Sequence, residues 1–108
     1  MKRYQVQIID DAERDLFDIF QYVAARDSFE NATNLLDELQ ALCLSLSDQP
    51  LRGHIPPELD HVGITDYREV HFKPYRAIYE VAGNNVYIHC VLDGRRDIQS
   101  VLQQRLLR

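Results

Sequence analysis

His71, Arg76, Tyr87 and His89 fall in the apolar, β-branched second half of the chain, on segments that read as strands. Histidine exchanges protons near neutral pH, and arginine can hold a phosphate through two parallel N–H bonds. Gathered on one surface, they could cleave RNA by acid–base chemistry or hold an anion. The same residue types also suit a plain polar sheet face, with Arg76 paired to Glu69 or Glu80 across neighbouring strands. Spacing alone leaves both readings open. A second group, Glu58, Asp60, His54 and His61, lies between Gly53 and Gly63. Its spacing matches no zinc motif, so neither metal nor cofactor is expected. Cys43 and Cys90 form no CxxC pair. They read as buried small hydrophobes in a reducing compartment.

The elements that must carry these residues follow from periodicity. Tyr4, Val6 and Ile8 alternate with Arg3, Gln5 and Gln7, which predicts a short strand over 3–9. Asp10 and Glu13 have capping-box spacing, and Ala12, Leu16, Ile19, Phe20 and Val23 recur as on a helix to about Ala25. Asp27 to Glu30 offers a second capping box. The helix after it carries Ala32, Leu35, Leu36, Leu39, Leu42, Cys43 and Leu46 on one stripe. The junction between the helices permits only an antiparallel hairpin. Asp15, Asp18, Asp37 and Glu38 fall outside the stripes and read as a solvated face.

Residues 47–66 form an irregular connection containing Pro50, Gly53, Pro56, Pro57 and Gly63. Three strands are predicted next: Tyr67 to Phe72, Tyr75 to Val81 and Val86 to Leu92. Lys73-Pro74 and Gly83-Asn84 supply the turns. Ile98, Val101, Leu102, Arg105 and Leu106 suggest a short C-terminal helix. The expected class is α+β: an N-terminal strand, and a helical hairpin packed on a small, mainly antiparallel sheet.

Two-residue turns set His71 opposite Arg76, Phe72 opposite Tyr75, Ala82 opposite Asn85, Ile78 opposite His89 and Arg76 opposite Val91. One face then collects Val70, Phe72, Tyr75, Ala77, Tyr79, Val81, Val86, Ile88, Cys90 and Leu92, with Arg68 at its edge opposite Tyr79. That apolar face should meet the helices. Glu69, His71, Arg76, Ile78, Glu80, Tyr87, His89 and Val91 should face the open side, with Arg95 leaving the last strand nearby.

At 108 residues the chain is sized for one domain, 1–108, with one core. Hydrophobic residues make up 45% of it, which argues against disorder. The absence of a long apolar run argues against a membrane span, and an N-terminus without an apolar signal core predicts a cytoplasmic protein. The net charge of −5 weakens any broad affinity for nucleic acid. Residues 1–50 hold 4 Lys/Arg against 10 Asp/Glu, whereas 51–108 hold 8 against 7. An anionic partner should therefore meet the second half, where Arg95, Arg96, Arg105 and Arg108 lie.

Tyr67-Arg68-Glu69, Pro74-Tyr75-Arg76-Ala77-Ile78-Tyr79-Glu80-Val81 and Val91-Leu92-Asp93-Gly94-Arg95-Arg96-Asp97 resemble the RelE/ParE superfamily of type II toxin–antitoxin toxins. Ala12 to Ile19 and Leu46 to Gly53 fit as well, so the resemblance spans nearly the whole chain. It implies the fold expected above. It also implies a cognate antitoxin, a homodimer or a heterotetramer with that antitoxin, and no DNA binding without it. Growth inhibition and plasmid stabilisation are the associated roles.

The superfamily has two activities. RelE-like members are ribosome-dependent mRNA endoribonucleases, and ParE-like members inhibit DNA gyrase by protein–protein contact. On the nuclease reading, Arg76, Arg95, His71, His89 and Arg68 are the catalytic candidates. Yet a partner lysine beside Arg68 is missing, and neither Tyr nor His follows His89. An acidic chain also suits the polyanionic ribosome poorly. The resemblance therefore favours the ParE-like reading, with no catalytic residues. A degenerate member that only binds its antitoxin is a third possibility. On the gyrase reading, the contact is expected from Arg95, Arg96, Val101, Leu102, Arg105 and Arg108, a basic and partly apolar terminal segment.

Overall fold

The computed structural model describes residues 3–106. Strand β1 (Gln5–Ile8) leads into helices α1 (Asp10–Arg26) and α2 (Phe29–Leu44), which form the predicted hairpin. The connection that follows contains two 3-10 turns (Ser45–Ser47 and Pro50–Arg52) and a one-turn helix, α3 (Pro57–Asp60). Strands β2 (Tyr67–Phe72), β3 (Tyr75–Ala82) and β4 (Asn85–Asp93) form a meander, and α4 (Ile98–Leu106) ends the described chain. The sheet order is β1-β4-β3-β2. β1 runs parallel to β4, and the other pairings are antiparallel. The helical hairpin lies within the long crossover that a parallel pairing requires.

The capping boxes are not used as expected. Ile9 caps α1 without a side-chain bond. At α2 the cap is Ser28, whose hydroxyl accepts from the Asn31 amide at 3.0 Å. Asp27 takes the Asn31 side chain instead.

The register holds from Ala82↔Asn85 to Tyr79↔Ile88, then shifts: Ile78 pairs with Cys90, not with His89, and Arg76 pairs with Leu92. His89 is the extra residue of a β-bulge. The bulge reverses the faces of β4 beyond it. Val86, Ile88 and Val91 join the hairpin-side core with Ala12, Leu16, Leu39, Cys43 and Tyr79. Cys90 and Leu92 join a second core on the opposite face, with Ile78, Leu59, Ile98 and Leu102. The expected open face is therefore half covered, by α3 and α4, and the described residues form two cores where one was expected. Both cysteines are buried, one in each core. Burial pushes the Cys43 thiol up to about 11 and the Cys90 thiol to about 12, so both stay protonated.

β1 ends at Ile8, opposite Ile88, which leaves the outer edge of β4 without a strand beyond that point. Asp15, expected on a solvated face, completes this edge. Its carboxylate accepts the Val91 amide at 3.0 Å and two N–H bonds from Arg105 at 2.9 and 3.1 Å. Arg105 also donates to the His89 carbonyl at 3.0 Å. Side chains here replace a missing strand ladder.

Candidate functional site

The polar centre of the second face is Glu69, on the edge strand β2. Its side chain is 1% exposed, and it is the single charged residue buried to that degree among those described. A carboxylate so placed needs partners for all its lone pairs. Arg76, across the β2–β3 ladder, donates Nε to Oε1 at 2.5 Å and Nη2 to Oε2 at 3.0 Å. The same guanidinium grips Glu58 of α3 at 2.8 and 2.7 Å. This pairing holds the Glu58 carboxyl below its ordinary range and raises the Arg76 guanidinium further above its own. Two imidazoles close the remaining side: His71 Nε2 lies 2.9 Å from Oε1 and His54 Nε2 lies 3.2 Å from Oε2.

His54 arrives from the irregular connection through backbone pairing with Glu69, amide to carbonyl in both directions at 3.2 and 2.8 Å. Gly53 makes this approach possible. A Cβ there would stand 2.5 Å from both the Glu69 carbonyl oxygen and the Tyr79 hydroxyl. Tyr79 reaches through the sheet's hairpin side, donating to the Pro50 carbonyl at 2.6 Å and accepting the Gly53 amide at 3.1 Å. Arg68 donates to the Gly53 carbonyl at 2.7 Å and to that of Leu51 at 3.2 Å. Residues 50–54 are thus clamped from both sides.

The nuclease candidates are therefore not gathered in one free groove. Arg76 commits Nε, Nη1 and Nη2 to two carboxylates. It pairs with Glu69, as one sequence reading allowed, but Glu80 instead takes His89 at 3.1 Å. His89 also stands edge-on to Tyr67, with ring centroids 5.5 Å apart. Arg68 serves the clamp. Arg95 is exposed and folds onto Asp93 at 2.6 and 2.9 Å, which holds the Asp93 carboxyl low.

The residues expected at a target contact divide as well. Leu102 is 1% exposed and belongs to the second core, and Arg105 is drawn inward by Asp15. Arg95 and Arg96 are exposed, and Val101 is half-buried. Arg108 lies outside the described residues. Arg96 borders an open groove of about 330 Å³ with Asp15, Asp18, Tyr22, Tyr75 and Asp93. On the hairpin, Phe17, Tyr22, Phe29 and Leu44 are each more than half exposed.

Sequence reasoning missed the grip of Glu58 on Arg76, the arrival of His54 beside His71, and the role of Asp15. The first two depend on the path of residues 47–66, which no periodicity encodes. For Asp15 a signal existed: three residues after Ala12 and four before Ile19, it borders the apolar stripe of α1.

Residues 6–98 match the model of a family described as the ParE toxin of the type II toxin–antitoxin system parDE. No curated protein matches the chain. Among solved structures, the chromosomal ParDE toxin–antitoxin system from P. aeruginosa is similar with a TM-score of 0.70 and 16% identity. That match covers 84% of this chain and 96% of the other. The toxin–antitoxin complex RelBE2 from Mycobacterium tuberculosis is similar with a TM-score of 0.64 and 21% identity, covering 86% and 93%. At these identities the likeness to the two structures is one of fold.

Proposed function

The chain belongs to the ParE toxin family of type II toxin–antitoxin systems, and from that premise we propose that it inhibits DNA gyrase by protein–protein contact and is neutralised by a cognate antitoxin. The observation that carries the choice over mRNA cleavage is the state of Arg76. Its guanidinium is fully engaged by Glu58 and Glu69. A phosphate there would have to displace two carboxylates and enter beside them, against both desolvation and charge. His71, His89, Arg68 and Arg95 are held by acceptors of the chain itself.

The gyrase contact is placed on the exposed part of the C-terminal segment: Arg95, Arg96 and the flank of Val101. Leu102 and Arg105 support that segment from beneath. The antitoxin is placed over the helical hairpin, where exposed aromatics stand among the acidic residues of the first half. A segment with alternating basic and apolar residues, folding as it binds, would complement that surface. Co-expression of the neighbouring reading frame should rescue growth and co-purify with this chain.

The test uses the purified chain with two readouts, gyrase supercoiling and primer extension on translated mRNA. Supercoiling should be inhibited, should stay inhibited in His89→Ala, and should recover when Arg95 and Arg96 are both replaced by Glu. Codon-positioned cleavage on ribosomes would overturn the proposal in favour of the endoribonuclease reading.

A further inference from the structure

His54, Glu69 and His71 lie apart from the surfaces assigned above, and their donor atoms all fall within 4.8 Å of one another. We propose that these three side chains form a binding site for a divalent transition-metal ion of zinc-like preference. Two imidazole nitrogens and one carboxylate oxygen are the donor set that such borderline ions favour. With bonds of roughly 2.0–2.1 Å, adjacent ligand atoms in a tetrahedral zinc site stand about 3.3 Å apart. Here His71 Nε2 stands 2.9 Å from Oε1 and His54 Nε2 3.2 Å from Oε2, so each imidazole meets a different oxygen of the one carboxylate. Side-chain rotation can bring both imidazoles onto a shared ion: the His54 and His71 side chains are 61% and 39% exposed. Their rings are already neighbours, with centroids 5.1 Å apart and planes tilted by 55°.

The framework around the donors is built. Glu69 is fixed by Arg76, and Arg76 by Glu58, a supporting shell of the kind that orients metal-binding carboxylates. His54 is fixed by its paired backbone and by Gly53, which only a residue without a Cβ can fill. Each carboxylate oxygen has two lone-pair directions, one taken by Arg76 and the other facing an imidazole. Three protein ligands leave a fourth position for water, and the site opens onto a shallow cleft beside Leu42 and Arg52. An ion here would tie the 50–54 segment to the edge strand β2. It would also replace the contacts that the two ring nitrogens now make with the carboxylate.

The competing arrangement is two imidazoles hydrogen-bonded to one carboxylate and nothing more. The tag-free chain, freed of metal with a chelator and dialysed, separates the two when titrated with Zn²⁺ by calorimetry and by thermal unfolding. The expected result is one equivalent bound, a raised melting temperature, and an affinity at least about tenfold weaker in both His54→Ala and His71→Ala. His61→Ala and His89→Ala should bind as the parent does. Circular dichroism of the unloaded variants checks that the exposed imidazoles are not needed for folding. Absence of saturable binding overturns the site, as does binding that survives the double replacement of His54 and His71. Either outcome leaves the gyrase assay untouched.

Discussion

Arg76 and Arg105 each bridge carboxylates beneath the surface, on opposite sides of the sheet's midline. Arg76 binds side chains alone, Glu58 and Glu69, and its carboxylate partner on β2 is sealed from water. Arg105 binds Asp15, approaches Asp11 and reaches a backbone carbonyl, and its partners keep some access to solvent. The first arginine neutralises a charge that the fold has buried. The second finishes a strand edge that β1 is too short to cover. The residue type is the same, but loss of one should strand a charge, whereas loss of the other should expose hydrogen-bonding groups that water can reach.

That contrast predicts unequal costs. Arg76→Ala should destabilise the fold by roughly 3–5 kcal/mol, because Glu69 is left buried without a counter-charge. Urea unfolding would measure it. Replacing Arg76 and Glu69 together by leucine should recover most of the loss, and a double variant as weak as the single would break the comparison. Arg105→Ala should cost about 1.5–3 kcal/mol, the range for hydrogen bonds to charged groups. Hydrogen exchange at the Val91 amide should rise in that variant before exchange elsewhere in the core does.

A smaller effect concerns acid. Arg76 holds the folded Glu58 carboxyl below its ordinary value of 4.5. The stability from this pair is present above that value and is lost as pH falls through the lower folded one. Stability measured downward from pH 5 should therefore drop more steeply in the parent than in Glu58→Gln, and parallel curves would count against the pairing. Smallest of all, His89→Ala should change stability by less than about 1 kcal/mol, since its partner Glu80 is partly exposed. A larger loss would mean that the imidazole, and not only its backbone, holds the bulge.

Much of the fold is legible in the sequence because the signals are periodic. The stripe from Ala32 to Leu46 can only be a helix with one buried side, and Gly83-Asn84 between β-branched runs sets a hairpin whose register holds as far as Ile88. Two features escape. A bulge has no residue signature in this strand: His89 looks like any polar residue on an alternating face, and nothing in Tyr87-Ile88-His89-Cys90 marks the skipped pairing. The path of residues 47–66 is fixed by long-range contacts, Tyr79 to Pro50 and Arg68 to Gly53, which local spacing does not encode. The candidate site is accordingly half legible. Glu69, His71 and Arg76 follow from strand pairing, while His54 and Glu58 reach them from the irregular segment.

The bulge at His89 gives β4 two reading frames. Up to Ile88 the even-numbered residues feed the hairpin layer, and after His89 the odd-numbered Val91 does so while Cys90 and Leu92 turn to the α4 layer. Straightening the bulge with His89 kept in the ladder would send Cys90, Val91 and Leu92 to the wrong layer. Removal of His89 itself would restore plain alternation, with Ile88 and Val91 still on the hairpin side and Cys90 and Leu92 still on the α4 side. Kin of this chain should therefore tolerate almost any side chain at position 89, and its deletion as well.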